Sequence, residues 1–223
     1  MPRETKQQRR ARAARIIDVL EAEIPQAKIA LDYASELELL VAVMLSAQTT
    51  DALVNKVTPA LFARYRTAAD YAAATEEELR ESIRRIGLFR NKAKNLKAAM
   101  EQIVREHGGQ LPRTREALQT LPGVGWKTAG VVANHAFGAP AFPVDTHVGR
   151  LARRMGLTRE QDPDKVERDL SDLLPPERWG RAHQLLIWHG RLTCAARSPR
   201  CASCAVAPDC PRVGVEKKRK RAR

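Results

Sequence analysis

The sequence predicts an all-α protein, and three observations carry that prediction. No run of residues alternates apolar and polar positions with β-branched enrichment, so strand signals are missing. Alanine, the best helix former, is abundant throughout. Capping signatures recur ahead of apolar segments.

Ser35 with Glu38 marks a helix start before Leu37, Leu39, Leu40, Val41, Val43, Met44 and Leu45. That segment is apolar on nearly every side, which predicts a helix at the centre of a core. The polar stretch 46–51 interrupts it before a helix over roughly 52–65. Thr75 with Glu78 opens a short helix that Gly87 can stop. A helix over roughly 91–107 ends at Gly108-Gly109. Another stops at Pro122, and the next begins near Trp126 after a tight turn through Gly123-Val124-Gly125. Asp145 precedes a further helical stretch. Asp162-Pro163 supplies a cap and a proline at the first helical position, and Pro175-Pro176 closes that helix. A last helix runs over roughly 177–192. No internal repeat of useful length is present.

The 223 residues carry 39 Lys and Arg against 26 Asp and Glu, and such a length buries a sizeable core without disulfide staples. The longest apolar run, Leu39–Leu45, is seven residues, far short of the roughly 20 that a bilayer requires. No membrane span is expected, and no apolar h-region follows the basic N-terminus. Aromatics are 4%, too few for the stacking platforms of single-strand-binding sheets. Most of the excess charge is terminal: residues 16–215 hold 27 basic against 24 acidic side chains. The tails 1–15 and 213–223 read as disordered, non-specific polyanion anchors. Inside the body, residues 80–105 hold eight basic and two acidic side chains while 16–79 are net acidic, which implies one basic face.

The hairpin LPGVGWKTA carries the first chemistry. Gly123 and Gly125 permit positive φ and a close backbone approach to something bulky. The turn amides and the first amides of the following helix form an anion site at a positive dipole end. The segment resembles the helix-hairpin-helix motif, which clamps DNA backbone without reading sequence; an ordinary αα-corner is the alternative. Lys127 lies in the first turn of that helix, where the dipole disfavours a cation. A free lysine has a pKa of about 10.4, so an amine nucleophile needs such help to lose its proton. Asp145, eighteen residues on, has N-cap as its plain role. From Lys127 to Phe137 a helix advances about 15 Å, and the loop 138–144 reaches back at most about 25 Å, so the loop permits but does not compel a return to Lys127.

All four cysteines fall in Cys194-x6-Cys201-x2-Cys204-x5-Cys210. With no export signal a reducing compartment is expected, which disfavours disulfides. Spacing alone leaves zinc and an iron–sulfur cluster even.

The stretches LPGVGWKTAGVVANHAFG and PVDTHVGRLARRMGL, followed by these cysteines, resemble the endonuclease III family of helix-hairpin-helix DNA glycosylases, over residues 16–212. The resemblance implies two helical lobes: residues 29–139 with the hairpin, and residues 1–28 plus 140–223 with the cysteine loop. It implies that Lys127 is the Schiff-base lysine, Asp145 the essential carboxylate, and Cys194, Cys201, Cys204 and Cys210 the ligands of a [4Fe–4S] cluster. Gln48 would fill the gap left by an extruded nucleotide and Leu88 would act as an apolar wedge; without the resemblance, Gln48 is a helix-ending polar residue and Leu88 a buried contact. Arg197 and Arg200 lie inside the cysteine loop, either braced toward phosphate or simply solvated.

The expected protein is thus a monomeric, cytoplasmic, nucleoid-associated base-excision enzyme. Its partner is double-stranded DNA containing oxidised pyrimidines or abasic sites. It removes the base and cuts the strand by β-elimination. The rival readings are a monofunctional adenine-mismatch glycosylase, against which Lys127 and the chain's end just after the cysteines both argue, and a non-catalytic DNA-binding module holding zinc. Trp126 stands where many relatives have a basic residue, so it either stacks near the extruded nucleotide or packs the hairpin.

Overall fold

The computed structural model describes residues 4–215. Among the described residues every regular element is helical. The chain runs α1 (Lys6–Glu23), α2 (Glu36–Ser46), α3 (Asp51–Arg64), α4 (Ala68–Ala73), α5 (Glu76–Ser82) and α6 (Phe89–His107). It continues with α7 (Arg115–Gln119), α8 (Trp126–Phe137), α9 (Thr146–Arg154), α10 (Pro163–Leu173) and α11 (Trp179–Leu192). None of these helices is long and apolar enough to cross a membrane.

Two compact units divide the chain: a contiguous one, Ile29–Ala141, and a split one made of residues up to Lys28 and from Phe142 onward. In the contiguous unit α2 is the central helix. Residues 39–45 are all buried, each large aliphatic side chain contributing about 1.5–3 kcal/mol. Ser35 caps it through the Glu38 amide at 3.2 Å, but the Glu38 carboxylate reaches back to the Ala34 amide at 2.6 Å, one residue beyond a reciprocal box. Helices α3, α6 and α8 pack around α2. The inward stripe of α6 is Lys92, Ala93, Leu96, Ala99, Met100 and Ile103, the spacing of one helical face. Gly108, in the left-handed region at φ 59°, terminates α6. Gly87 does not end α5, which stops at Ser82. Helix α4 went unread in the sequence although Thr67 and Asp70 form a reciprocal capping box.

In the split unit α1 packs on α10 and α11, and α9 packs on α10 and α11. Ile16, Ile17, Leu20, Phe142, Val148, Leu151, Leu170 and Leu185 fill its core. Gly190 lets α11 come close to α9, since a Cβ there would lie 2.8 Å from His147 Nδ1. The Arg181 guanidinium ties α11 to Glu21, Ala27 and Pro25.

The expectation of disordered tails is corrected for the described part. Residues 6–15 are the first half of α1, capped by Thr5 with Gln8 in a reciprocal box and anchored by buried Ala13. Their charges are paired across long sequence distances. Arg12 holds Glu4 and the carbonyls of Met155 and Asp209, and Arg15 holds Asp209 at 2.7 Å. The Val213 amide donates to the Arg154 carbonyl at 2.9 Å. Residues 1–3 and 216–223, also expected to be disordered, lie outside the described residues.

Candidate active site

The hairpin is built from α7, the turn at 120–125 and α8, which pack against each other. Buried Leu121 and Val124 pin the turn to the core, and the Val124 amide closes it on the Leu121 carbonyl at 3.0 Å. The two glycines answer different demands. Gly123 has φ +78°, and a Cβ there would sit 2.8 Å from Asn95 Cβ on α6, so conformation and packing both require glycine. Gly125 is the N-cap of α8 at φ −81°, with nothing within 4 Å of an added Cβ. Its bareness serves no contact within its own unit. No side chain caps α8, so its first amides present the anion-binding end expected of such a turn.

Lys127 occupies the first turn of α8 and is exposed. Beside it, Trp126 is half-buried, and the Arg115 guanidinium lies 3.8 Å from its ring centroid while donating to the Trp126 carbonyl at 3.1 Å. Trp126 thus packs against Arg115 within the hairpin. Arg115 also covers Gly130, where a Cβ would meet it at 2.8 Å. Sequence reasoning missed Arg115.

Gln48 and Leu88 head two loops of the same unit, and the structure brings these loops together. A Cβ on Gly87 would lie 3.5 Å from the Gln48 carbonyl and 3.6 Å from Thr49 Oγ1. Gln48 and Leu88 both adopt left-handed backbone, φ 53° and 58°, at about 1–2 kcal/mol each for residues bearing a Cβ. Leu88 is 57% exposed, so it is not the buried contact its sequence also allowed. Beneath both tips sits Lys92, a buried lysine donating to the Leu45 and Ala47 carbonyls and to Thr49 Oγ1 at 2.8, 2.6 and 2.9 Å. Burial lowers its pKa from the ordinary lysine value.

Asp145 belongs to the split unit, where it caps α9: its Oδ1 accepts from the Val148 amide at 2.8 Å. The cap uses one carboxylate oxygen and fixes the side chain at a helix N-terminus, a favourable place for negative charge. Phe142, Pro143 and Val144, all buried, lead into it.

The four cysteines follow α11 and line one small pocket together with Arg154, His189 and Arg200. Among the described residues no three His, Cys, Asp or Glu are set to hold a single metal ion. Burial raises the Cys204 thiol, an effect reduced by a hydrogen bond from the Val206 amide and increased by the neighbouring cysteines; Cys210 behaves likewise, with the Arg212 amide as donor. His189 Nε2 lies 3.6 Å from Cys204 Sγ. Arg154, unforeseen from the sequence, reaches Cys194 Sγ at 3.4 Å and the carbonyls of Ala195 and Ala196 at 2.7 and 2.8 Å. Arg197 and Arg200 are exposed.

Comparison with known proteins identifies the family of the chain. Residues 41–176 match the family described as HhH-GPD superfamily base excision DNA repair protein. The chain is 49% identical to endonuclease III of Synechocystis sp. over 204 residues, 91% of this chain and 93% of that protein. It is similar to the solved structure of a non-covalent endonuclease III–DNA complex, at 45% identity with a TM-score of 0.87, covering 93% of this chain and 96% of that one. A trapped endonuclease III–DNA covalent intermediate with an estranged adenine matches with the same identity, coverage and TM-score.

Proposed function

From the chain's membership of the endonuclease III family, within the HhH-GPD superfamily of base excision DNA repair proteins, we propose that it removes oxidised pyrimidines from duplex DNA and then cleaves the strand at the resulting abasic site, working as a monomer. The observation that carries this reading is Lys127: an exposed amine on the first turn of α8, beside the bare Gly125, in a chain so similar to an endonuclease III that was trapped covalently on DNA.

The chemistry follows from the residues. The helix-hairpin-helix turn accepts a backbone phosphate on the open amides of α8. The damaged nucleotide rotates out of the stack at a cost of a few kcal/mol, and Gln48 and Leu88 fill the space it leaves. As the base departs with its bonding electrons, positive charge grows at C1′, and the Asp145 carboxylate stabilises it. Asp145 also assists loss of the Lys127 proton. The neutral amine bonds to C1′, and the sugar opens to a protonated imine. That imine acidifies C2′; loss of the C2′ proton and expulsion of the 3′ phosphate with its bonding pair breaks the strand.

Cys194, Cys201, Cys204 and Cys210 are proposed to hold a [4Fe–4S] cluster. Four thiols lining one pocket are an all-thiolate donor set that a four-iron cluster requires, and membership of the endonuclease III family favours the cluster over zinc. The cluster supplies a structural brace: its iron–thiolate bonds fix the loop that carries Arg197 and Arg200, proposed to face DNA phosphate. Arg154 and the backbone amides of Val206 and Arg212 support that loop from the protein side.

Borohydride trapping on a duplex containing one abasic site tests the reading. Wild type should form a covalent adduct and Lys127→Ala none. Absence of an adduct with the wild type refutes the lyase role, and strand cleavage at the wild-type rate by Lys127→Ala refutes the choice of nucleophile.

A further inference from the structure

The buried lysine under the two loop tips has no part in the chemistry above, and nothing in its position lets it touch DNA. It is on the first turn of α6, four residues after Leu88, and its carbonyl acceptors, Leu45 and Ala47, lie at the C-terminal end of α2. Its third acceptor, Thr49 Oγ1, flanks Gln48 on the other side. All three distances are 2.9 Å or less, the range of charge-assisted hydrogen bonds. One ammonium therefore joins the start of the helix that Leu88 precedes to two carbonyls before Gln48 and a hydroxyl after it.

We propose that Lys92 is the positioning residue for nucleotide extrusion: it locks the Gln48 and Leu88 tips at a fixed mutual spacing so that both enter the duplex together. The inference rests on the DNA-processing reading given above. Its physical basis is that neither tip is held by its own side chain. Both residues are exposed and both occupy left-handed backbone, a conformation that persists only where the surroundings over-determine it. Beyond Lys92, the contact at Gly87 is the meeting of the two loops: an added Cβ there would touch the Gln48 carbonyl and Thr49 Oγ1. Helix α2 ends beneath the Gln48 turn, and a cation at that negative dipole end adds to the hold. Burial lowers the lysine's pKa, yet three oxygen acceptors fix the ammonium in place.

A comparable lysine provides the control. Lys97, one and a half turns further along α6, donates to the Ala72 and Ala74 carbonyls at 2.7 and 2.8 Å. It staples the same helix to the core, away from the tips. The quantity to measure is the ratio of strand-cleavage rates on a duplex with one abasic site and on the same abasic strand alone, since the single strand needs no wedge.

Lys92→Met, which keeps the apolar stem, should lower that ratio about tenfold or more, with cleavage of the single strand within about twofold of wild type; tenfold corresponds to about 1.4 kcal/mol, within the worth of one hydrogen bond to a charged group. Lys97→Met should leave the ratio unchanged. Thr49→Val, which removes one acceptor without burying a charge, should shift it in the same direction by less, and it carries the test if Lys92→Met does not fold. An unchanged ratio in the Lys92 and Thr49 variants, or an equal fall in Lys97→Met, overturns the inference. Failure of the wild type to cleave either substrate refutes the functional reading instead.

Discussion

A methyl group added at Gly123 meets two obstacles. The backbone there is left-handed at φ +78°, which costs a residue with a Cβ about 1–2 kcal/mol. The new carbon also falls 2.8 Å from Asn95 Cβ, and that atom is fixed to the α6 backbone, so no side-chain rotation relieves the clash. Overpacking of this kind costs about 1–3 kcal/mol. Gly123→Ala should therefore lose about 2–5 kcal/mol of stability, and at about 2–4 °C per kcal/mol for a chain of this size the melting temperature should drop about 4–20 °C. At Gly125, with φ −81° and open space around the added carbon, alanine forfeits only the N-cap preference, about 1 kcal/mol or less. The methyl would instead stand where a phosphate must approach the α8 amides. Gly125→Ala should weaken binding to an abasic duplex about tenfold, or about 1.4 kcal/mol. Urea unfolding and fluorescence anisotropy at fixed salt measure the two effects. Equal destabilisation by the two substitutions refutes the packing argument. Wild-type affinity in Gly125→Ala refutes the placement of the phosphate.

Three further outcomes are expected. Asparagine caps helices about as well as aspartate, so Asp145→Asn should leave unfolding within about 0.5 kcal/mol of wild type while excision of an oxidised pyrimidine falls by about a hundredfold or more; parallel unfolding and single-turnover assays check this. Arg154→Leu removes the donors that hold Cys194 Sγ and the Ala195 and Ala196 carbonyls, and it should release iron to a chelator faster than Arg197→Leu, read from the decay of the visible cluster absorbance. The Arg181 guanidinium, chiefly through its hydrogen bonds, holds the Glu21 carboxyl below the usual glutamate range. A depressed folded pKa contributes stability above the unfolded value of about 4.3 and loses it as pH falls through the folded one. Glu21→Gln should thus narrow the gap between urea midpoints at about pH 6 and about pH 3, and an unchanged gap argues that the pair contributes nothing.

What the sequence disclosed and what it withheld divide along physical lines. Local signals were legible: the Thr75–Glu78 box, the Asp162-Pro163 start and the Gly108 stop all follow from contacts within one turn. The glycine turn and the cysteine spacing were legible for the same reason, since both concentrate rare chemistry in few residues. Helix α4 follows the same capping rule at Thr67 and Asp70, but its six residues are too few to show a period. The arginines of α1 read as a charged tail because their partners, such as Asp209, stand nearly two hundred positions away. Lys92, Arg115 and Arg154 went unnoticed for a different reason. Lys92 and Arg154 donate mainly to backbone carbonyls and Arg115 donates to one; every residue possesses such a group, so a carbonyl acceptor leaves no mark in the choice of neighbouring side chains.

The division of the chain bears on its birth. The split unit needs α1 and everything from Phe142 onward, while Ile29–Ala141 is one unbroken stretch. A ribosome adding about 5–20 residues per second delivers Phe142 roughly 6–23 s after Lys28. Through that interval Ile16, Ile17 and Leu20 have no companion surface, whereas the intervening stretch can collapse as soon as it emerges. Early in translation the opening helix is therefore a natural client for chaperones, and mutations that shrink Ile16, Ile17 or Leu20 should lower cellular yield more than they lower the stability of the finished protein.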